Sequence, residues 1–262
     1  MAGFAEGVPC WTDATVPDVT AGKRFYGELF GWSFAEGQEE YGGYAQAFSD
    51  GKAVGALAPQ MAGQDVPPAW TLYFATPNVR AAADRVRGHG GQVLTEPMEV
   101  GDLGSMALAA DPAGALFGVW QAGRHRGFEK QGEAGAYCWA EIVTRDPEAA
   151  DAFYPDVFPY EVRQAAGSHG AYKVWKVDGE PVSGRLRMPE GAPARTPSHA
   201  EVYFGVEDCD AAAERVDRLG GRVLAEPADS PYGRYAPVVD PQGVAFTVID
   251  PGRTSGQVPE LV

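Results

Sequence analysis

Residues 25–30, Phe25-Tyr26-Gly27-Glu28-Leu29-Phe30, return 128 positions later as Phe153-Tyr154-Pro155-Asp156-Val157-Phe158. Just upstream, Pro9-Cys10-Trp11-Thr12-Asp13 returns at the same displacement as Tyr137-Cys138-Trp139-Ala140-Glu141. Downstream, Ala81-Ala82-Ala83-Asp84-Arg85-Val86 returns as Ala211-Ala212-Ala213-Glu214-Arg215-Val216, and Gly90-Gly91 as Gly220-Gly221, both 130 positions on. Asp111-Pro112-Ala113-Gly114 returns as Asp240-Pro241-Gln242-Gly243, 129 positions on. Segments that recur in one order with almost constant spacing are an internal duplication, and the whole chain is read accordingly. The join is polar and Gly-rich, as a linker is. It divides the chain into a domain at 1–122, a linker at 123–135 and a domain at 136–262.

Within a half the pattern is strand, helix, strands, and then the same again. Residues 9–16 form the first strand. Asp18 caps a helix that puts Phe25, Leu29 and Phe30 on one side, and Gly31 stops it. Strands follow around 43–58, with a connector at 60–68, and the next strand covers 70–75. A second helix runs over about 78–88 with Ala82, Ala83 and Val86 inward, ended by Gly90-Gly91. Strands near 104–110 and 115–121, joined by the Asp-Pro-Ala-Gly turn, close the half. In the second half Asp146-Pro147 is a cap with Pro at the first helical position, and Pro155 shortens or kinks that helix.

Composition narrows the function. A net charge of −15 disfavours nucleic acid and anionic lipid as partners. No run of 18 apolar residues suggests a membrane span, and no basic-then-apolar leader opens the sequence, so the setting expected is the cytoplasm. Cys10, Cys138 and Cys209 are too few and too far apart for a disulfide framework. The four histidines do not cluster in sequence: His89, His125 and His169 lie in Gly-rich loops, and His199 follows Pro197 at a strand edge.

The Pro-Cys-Trp opening, the Phe-Tyr-Gly-x-Leu-Phe-Gly-Trp helix end and Gly-Asp-Leu-Gly before Asp-Pro-x-Gly resemble the vicinal oxygen chelate superfamily, the glyoxalase and bleomycin-resistance type. They are most similar to its two-repeat actinobacterial group labelled hydroxylase or glyoxalase-like. The resemblance covers roughly 8–122 and 136–251. It implies an α+β fold of tandem duplicated glyoxalase-like domains, with four βαβββ modules whose curved mixed sheets surround two cavities. Whether neighbouring modules pair or exchange stays open. It also implies a divalent metal held by His and Glu. The corresponding positions here are Trp11, Thr71 and Gly118, and Trp139, Glu201 and Thr247, with a further one near Gly55–Leu57 and Gly184–Leu186. These residue types supply too few N, O or S donors, so no metal and no cofactor is expected.

Strand alternation supplies the candidate site. It turns Trp11 and Asp13, Thr71 and Tyr73, and Gly118 and Trp120 toward one hollow, and Trp139 and Glu141, Glu201 and Tyr203, and Thr247 and Ile249 toward the other. Aromatic faces with a few polar groups suit a small-molecule ligand. Asp13 and Glu141, equivalent by the repeat, read either as general bases or ligand anchors, or as structural acids paired with backbone or an Arg such as Arg185. The leading expectation is a monomeric or homodimeric protein that binds a small aromatic or carbonyl-bearing metabolite in a metal-free cavity. The alternative is a glyoxalase-like lyase, hydroxylase or isomerase acting on a small carbonyl or polyketide substrate through Asp13 or Glu141. A third reading is a purely protein-binding role.

Overall fold

The computed structural model describes residues 3–35, 42–60 and 67–262, so most of the connector expected at 60–68 lies outside the described residues. The first half runs β1 (Pro9–Val16), α1 (Val19–Phe30), β2 (Ser33–Phe34), β3 (Ala45–Ser49), β4 (Lys52–Pro59), β5 (Ala69–Ala75), α2 (Val79–Gly88), β6 (Gln92–Val100), β7 (Gly104–Ala110) and β8 (Leu116–Ala122). The caps are those the residues predict. The Asp18 side chain accepts from Ala21 N at 3.0 Å, and Gly31, in the left-handed region at φ 72°, ends α1 through a bond from its N–H to Gly27 O.

The strands form one open sheet in the order β2-β3-β4-β1-β5-β8-β7-β6. β1 is parallel to β4 and antiparallel to β5, and β5 is parallel to β8. The two modules of a half therefore meet edge to edge along β1 and β5. Consecutive modules pair, which the sequence leaves open. The second half repeats the plan with β9 (Tyr137–Thr144), α3 (Pro147–Val157), β10 (Glu161–Gln164), β11 (Tyr172–Val177), β12 (Glu180–Arg187), β13 (His199–Gly205), α4 (Cys209–Arg218), β14 (Arg222–Val223), β15 (Ala228–Ser230), β16 (Gly233–Val239) and β17 (Ala245–Asp250). Its order is β10-β11-β12-β9-β13-β17-β16-β14, with β15 on β16.

Two local differences from the sequence reading have physical causes. β6 is an edge strand whose exposed residues mix Gln92, Glu96 and Glu99 with Leu94 and Met98, and Pro97 lies within it, so polar and apolar residues do not alternate. Helix α3 runs through Pro155 to Val157 and has 11 residues against 12 in α1.

The halves are held together by the motifs that repeat. Tyr26 on α1 donates to Asp240 Oδ2 of the other half at 3.2 Å, and Tyr154 on α3 donates to Asp111 Oδ2 at 3.3 Å. The other oxygen of each aspartate ties its own turn. Asp240 Oδ1 accepts from Gln242 N and Val244 N, and Asp111 Oδ1 accepts from Ala113 N and Ala115 N. Arg85 Nε donates to the Val157 carbonyl at the end of α3 at 2.7 Å, and Arg215 reaches the Leu29 carbonyl at the end of α1, where a cation suits the helix dipole. Around these bonds Tyr26 and Trp32 pack on Trp70, with Phe246 beside Tyr26 and Phe204 beside Trp32; Tyr154 and Phe158 pack on Phe74 and Phe117.

Segment 123–135 packs more closely than a polar linker suggests. Phe128 is buried and stacks on Tyr137 at 4.8 Å. Lys130 buries its stem while its ammonium donates to Ser49, Asp50 and the Ala134 carbonyl.

Removing one phenol leaves a buried carboxylate short of a donor. Tyr26→Phe and Tyr154→Phe should each lower unfolding stability by about 1.5–3 kcal/mol in urea melts; unchanged midpoints for both would mean the reciprocal bonds do not hold the halves together.

Candidate functional site

A register shift at Cys10 in β1, and one at Cys138 in β9, marks the same irregularity in both opening strands. Beyond it the strands alternate regularly. Trp11 stands across from Tyr73, and Asp13 across from Thr71; in the second half Trp139 faces Tyr203, and Glu141 faces Glu201. These pairs sit at the centre of each sheet.

A third aromatic, the fourth member of each cluster, completes it, and sequence reasoning missed it. Trp11 Nε1 donates to Tyr44 Oη at 2.8 Å, and Tyr44 donates on to Asp13 Oδ2 at 3.2 Å. Tyr73 is a second hydrogen-bond partner of Asp13. In the second half Trp139 Nε1 donates to Tyr172 Oη at 3.0 Å, Tyr203 donates to Glu141 Oε1 at 2.5 Å, and Tyr172 also bonds to Glu141. Tyr44 and Tyr172 are 128 positions apart, so the repeat itself carried the signal. It was obscured because Tyr44 follows the Gly42-Gly43 turn.

The quartets set the acidity of their carboxyls. Burial pushes Asp13 up to about 6, with bonds from Tyr73 and Tyr44 pulling the other way. Burial pushes Glu141 up to about 7; Tyr203 opposes this, the charge of Glu201 adds to it, and Tyr172 and His199 oppose it. Arg185 partners neither acid. It forms a two-pronged ion pair with Asp151, which Lys173 also joins. Asp13 and Glu141 are therefore held by phenols rather than by a cation, and stay titratable.

Around Glu141 the second half gathers further polar groups. Thr247 donates to Glu201 Oε1 at 2.6 Å, and His199 Nε2 lies 3.6 Å from Glu201 Oε2. His199, read as an exposed edge residue, is half-buried. Burial disfavours its charge, but Glu201 and the Pro197 carbonyl outweigh this and raise its pKa.

The two faces differ in cover. Trp139, Tyr172, Glu201 and Tyr203 are half-buried, Glu141 beneath them is 4% exposed, and exposed Tyr232 is close enough to feel its charge. In the first half Trp11 is 4% exposed, Tyr73 7% and Trp120 8%. His125, expected to lie apart in a loop, is set against both Trp11 and Trp120. Surface hollows of about 100 Å³, beside Arg24 and Leu219, and about 270 Å³, beside Asn78 and Glu99, are lined by residues outside both quartets.

The divalent metal that the resemblance implies does not fit these residues. Among the described residues no group of three or more His, Cys, Asp or Glu is placed to hold an ion. Two of the positions in question also lie under tyrosines. A Cβ on Gly118 would fall 2.1 Å from the Tyr73 ring, and one on Gly184 would fall 2.6 Å from Tyr172 Oη.

Comparison with known proteins agrees with the architecture. Residues 10–119 match the Glyoxalase/Bleomycin resistance protein/Dioxygenase superfamily, and residues 139–249 match the Glyoxalase-like domain. CFP32 of Mycobacterium tuberculosis, whose name carries a glyoxylase assignment, is 40% identical over 95% of this chain and 96% of its own. The anthracycline biosynthesis protein DnrV of Streptomyces peucetius is 40% identical over 95% of each chain. Among solved structures, the Mn(II)-bound glyoxalase from Novosphingobium aromaticivorans superposes with a TM-score of 0.64 at 17% identity, covering 98% of this chain and 89% of that one. An extradiol ring-cleaving dioxygenase from B. fuscum gives a TM-score of 0.67 at 14% identity, over 99% and 75%.

The raised acidity of Glu141 has a stability signature. Folded, it keeps its proton up to about pH 7, whereas its ordinary value is 4.5. Between those values the folded state holds more protons, so this group's contribution to stability falls as pH rises through the window and is flat on either side. Glu141→Gln should remove that slope, gaining on the order of 3 kcal/mol over wild type at pH 8 relative to pH 4. Parallel stability–pH curves for the two proteins would show that Glu141 titrates normally.

Proposed function

The chain belongs to the glyoxalase/bleomycin resistance/dioxygenase superfamily, and on that premise we propose that its second half binds a small, planar, hydroxyl- or carbonyl-bearing aromatic metabolite. The ligand stacks on Trp139 and directs its polar edge to Glu141. The observation that carries this reading is the geometry at Glu141, a carboxyl bonded by Tyr203 and Tyr172 beside a half-buried tryptophan, with burial pushing its acidity up to about 7. Near neutral pH such a group accepts a hydrogen bond from a phenol when ionised and donates one to a carbonyl when protonated. Trp139, Tyr172 and Tyr203 offer ring faces and hydroxyls that recognise flat oxygenated rings. The relative named for anthracycline biosynthesis supports a polyketide-like ligand. The reading takes 1–122 and 136–262 as two domains of a cytoplasmic protein, monomeric or homodimeric. No helix among the described residues is long and apolar enough to cross a membrane.

One observation favours a second reading, that the bound molecule is also turned over. A pKa near the working pH is what a general base needs, and Glu141 is placed to remove a proton from carbon next to a ligand carbonyl and return it elsewhere. Asp13 has the same chemistry under a closed face.

Titration of intrinsic fluorescence with planar hydroxyquinones and polyphenols, 1,8-dihydroxyanthraquinone first, should give saturable quenching that Trp139→Ala weakens at least about 10-fold, or 1.4 kcal/mol. Absence of saturable binding across such a panel, or indifference to Trp139→Ala, would reject the site. Exchange of deuterium from solvent into an α-proton of a bound ketone separates the readings. Under turnover Glu141→Gln slows it by about 10²–10⁴; under binding alone the wild-type protein does not accelerate it.

A further inference from the structure

The quartet of the first half is complete, yet its face is taken. The His125 ring stands edge-on to Trp11, with centroids 4.4 Å apart and an interplanar angle of 84°, and its centroid is 5.6 Å from that of Trp120. Trp120 Nε1 donates to the His125 carbonyl at 3.0 Å, and Phe128 lies 5.5 Å from Trp11. The strap that carries these rings is pinned by its backbone. Arg124 N donates to Asp102 O, His125 N to Leu103 O, and Phe128 N to Cys10 O. Gly127 takes φ 108°, and a Cβ there would fall 2.2 Å from Cys10 O, so only glycine lets the strap lie this close.

The second half lacks this histidine, although Tyr232 lies near its carboxyl. At the displacement of 129 that relates Asp111 to Asp240, His125 corresponds to Thr254 and Phe128 to Gln257. The tail there runs elsewhere: Ser255 N bonds to Ser230 O, and Val262 pairs with Gln164. Trp11 has the rings of His125 and Phe128 against it, whereas Trp139 meets the Tyr172 hydroxyl and is half-buried. Two copies of one aromatic–carboxyl cluster are thus present, one with its tryptophan half-buried and one with a histidine ring from its own chain on the tryptophan.

We infer that the first half is a second site for a flat aromatic or heteroaromatic ring, occupied in the resting chain by the imidazole of His125. The imidazole takes the position over Trp11 that a ligand ring would take, one edge toward Trp120. Below it Asp13 remains a sheltered carboxyl with two phenol partners, an arrangement that is costly as mere core filling. His125 is itself half-exposed. The strap is held by backbone bonds, by the Trp120 indole on the His125 carbonyl and by the Arg124–Asp102 ion pair; none of these uses the His125 imidazole, so the side chain can leave while the strap stays.

The test silences the other half, so its outcome does not depend on what that half binds. Trp139→Ala and His125→Ala/Trp139→Ala are titrated with 4-phenylimidazole, which carries the displaced ring, and with 1,8-dihydroxyanthraquinone. Thermal melts confirm folding, and His125→Ser replaces the alanine if it melts early. We expect one saturable site in the double variant, at least 10-fold tighter than in Trp139→Ala, with the Trp11 indole N–H resonance shifting on binding. Equal affinity in the two proteins, or no saturable binding of either probe to the folded double variant, would overturn the inference. Loss of hydroxyquinone binding on Trp139→Ala alone speaks only to the second half.

Discussion

A carboxyl on the inner face of a sheet must find donors or lose its charge, and each half places one at the middle of its opening strand. The solution is the same both times: two phenols bond to the acid, and an indole N–H fixes one of them. That choice constrains the surroundings. The strand carrying Tyr172 must sit next but one to the opening strand, as the order β11-β12-β9 provides. The neighbouring strand must carry glycine where a tyrosine lies on it, as Gly118 does under Tyr73 and Gly184 does under Tyr172. At two of the positions where the resemblance implies metal ligands, a tyrosine lies against glycine instead.

The outer faces of the sheets carry the other constraint. Phe-Tyr on a first helix and Asp-Pro-x-Gly before a last strand are far apart in each half, and neither explains the other locally. Across the duplication they are partners. Each tyrosine completes the aspartate that closes the other half's turn, and each Arg on a second helix caps the end of the other half's first helix. The two sheets are thereby joined through their helices, and their inner faces are free to diverge.

Divergence is what the inner faces show. Glu201, with Thr247 and His199 beside it, stands where the first half has Thr71, and the first half has drawn His125 and Phe128 over its tryptophan. The sequence made the duplication, the helices, their caps and the inward set Trp11, Asp13, Trp139 and Glu141 legible, because each depends on periodicity within one element. It did not reveal Tyr44 and Tyr172, His125 over Trp11, or the engagement of Arg185 by Asp151. Those are contacts between segments far apart in the chain, decided by sheet order rather than spacing. β6 is not legible because its exposed face mixes polar and apolar residues and it contains Pro97, which leaves no clean two-residue period.

The account rests on Glu141 being a sheltered, proton-holding carboxyl beneath a half-buried tryptophan. Its titration can be followed directly by carbon-13 NMR of side-chain carboxyls, with Glu141→Gln to assign the signal. A midpoint near 7 agrees with the account. A midpoint near the ordinary glutamate value of 4.5 would mean that water reaches the acid freely, and that the quartet does not create the environment described.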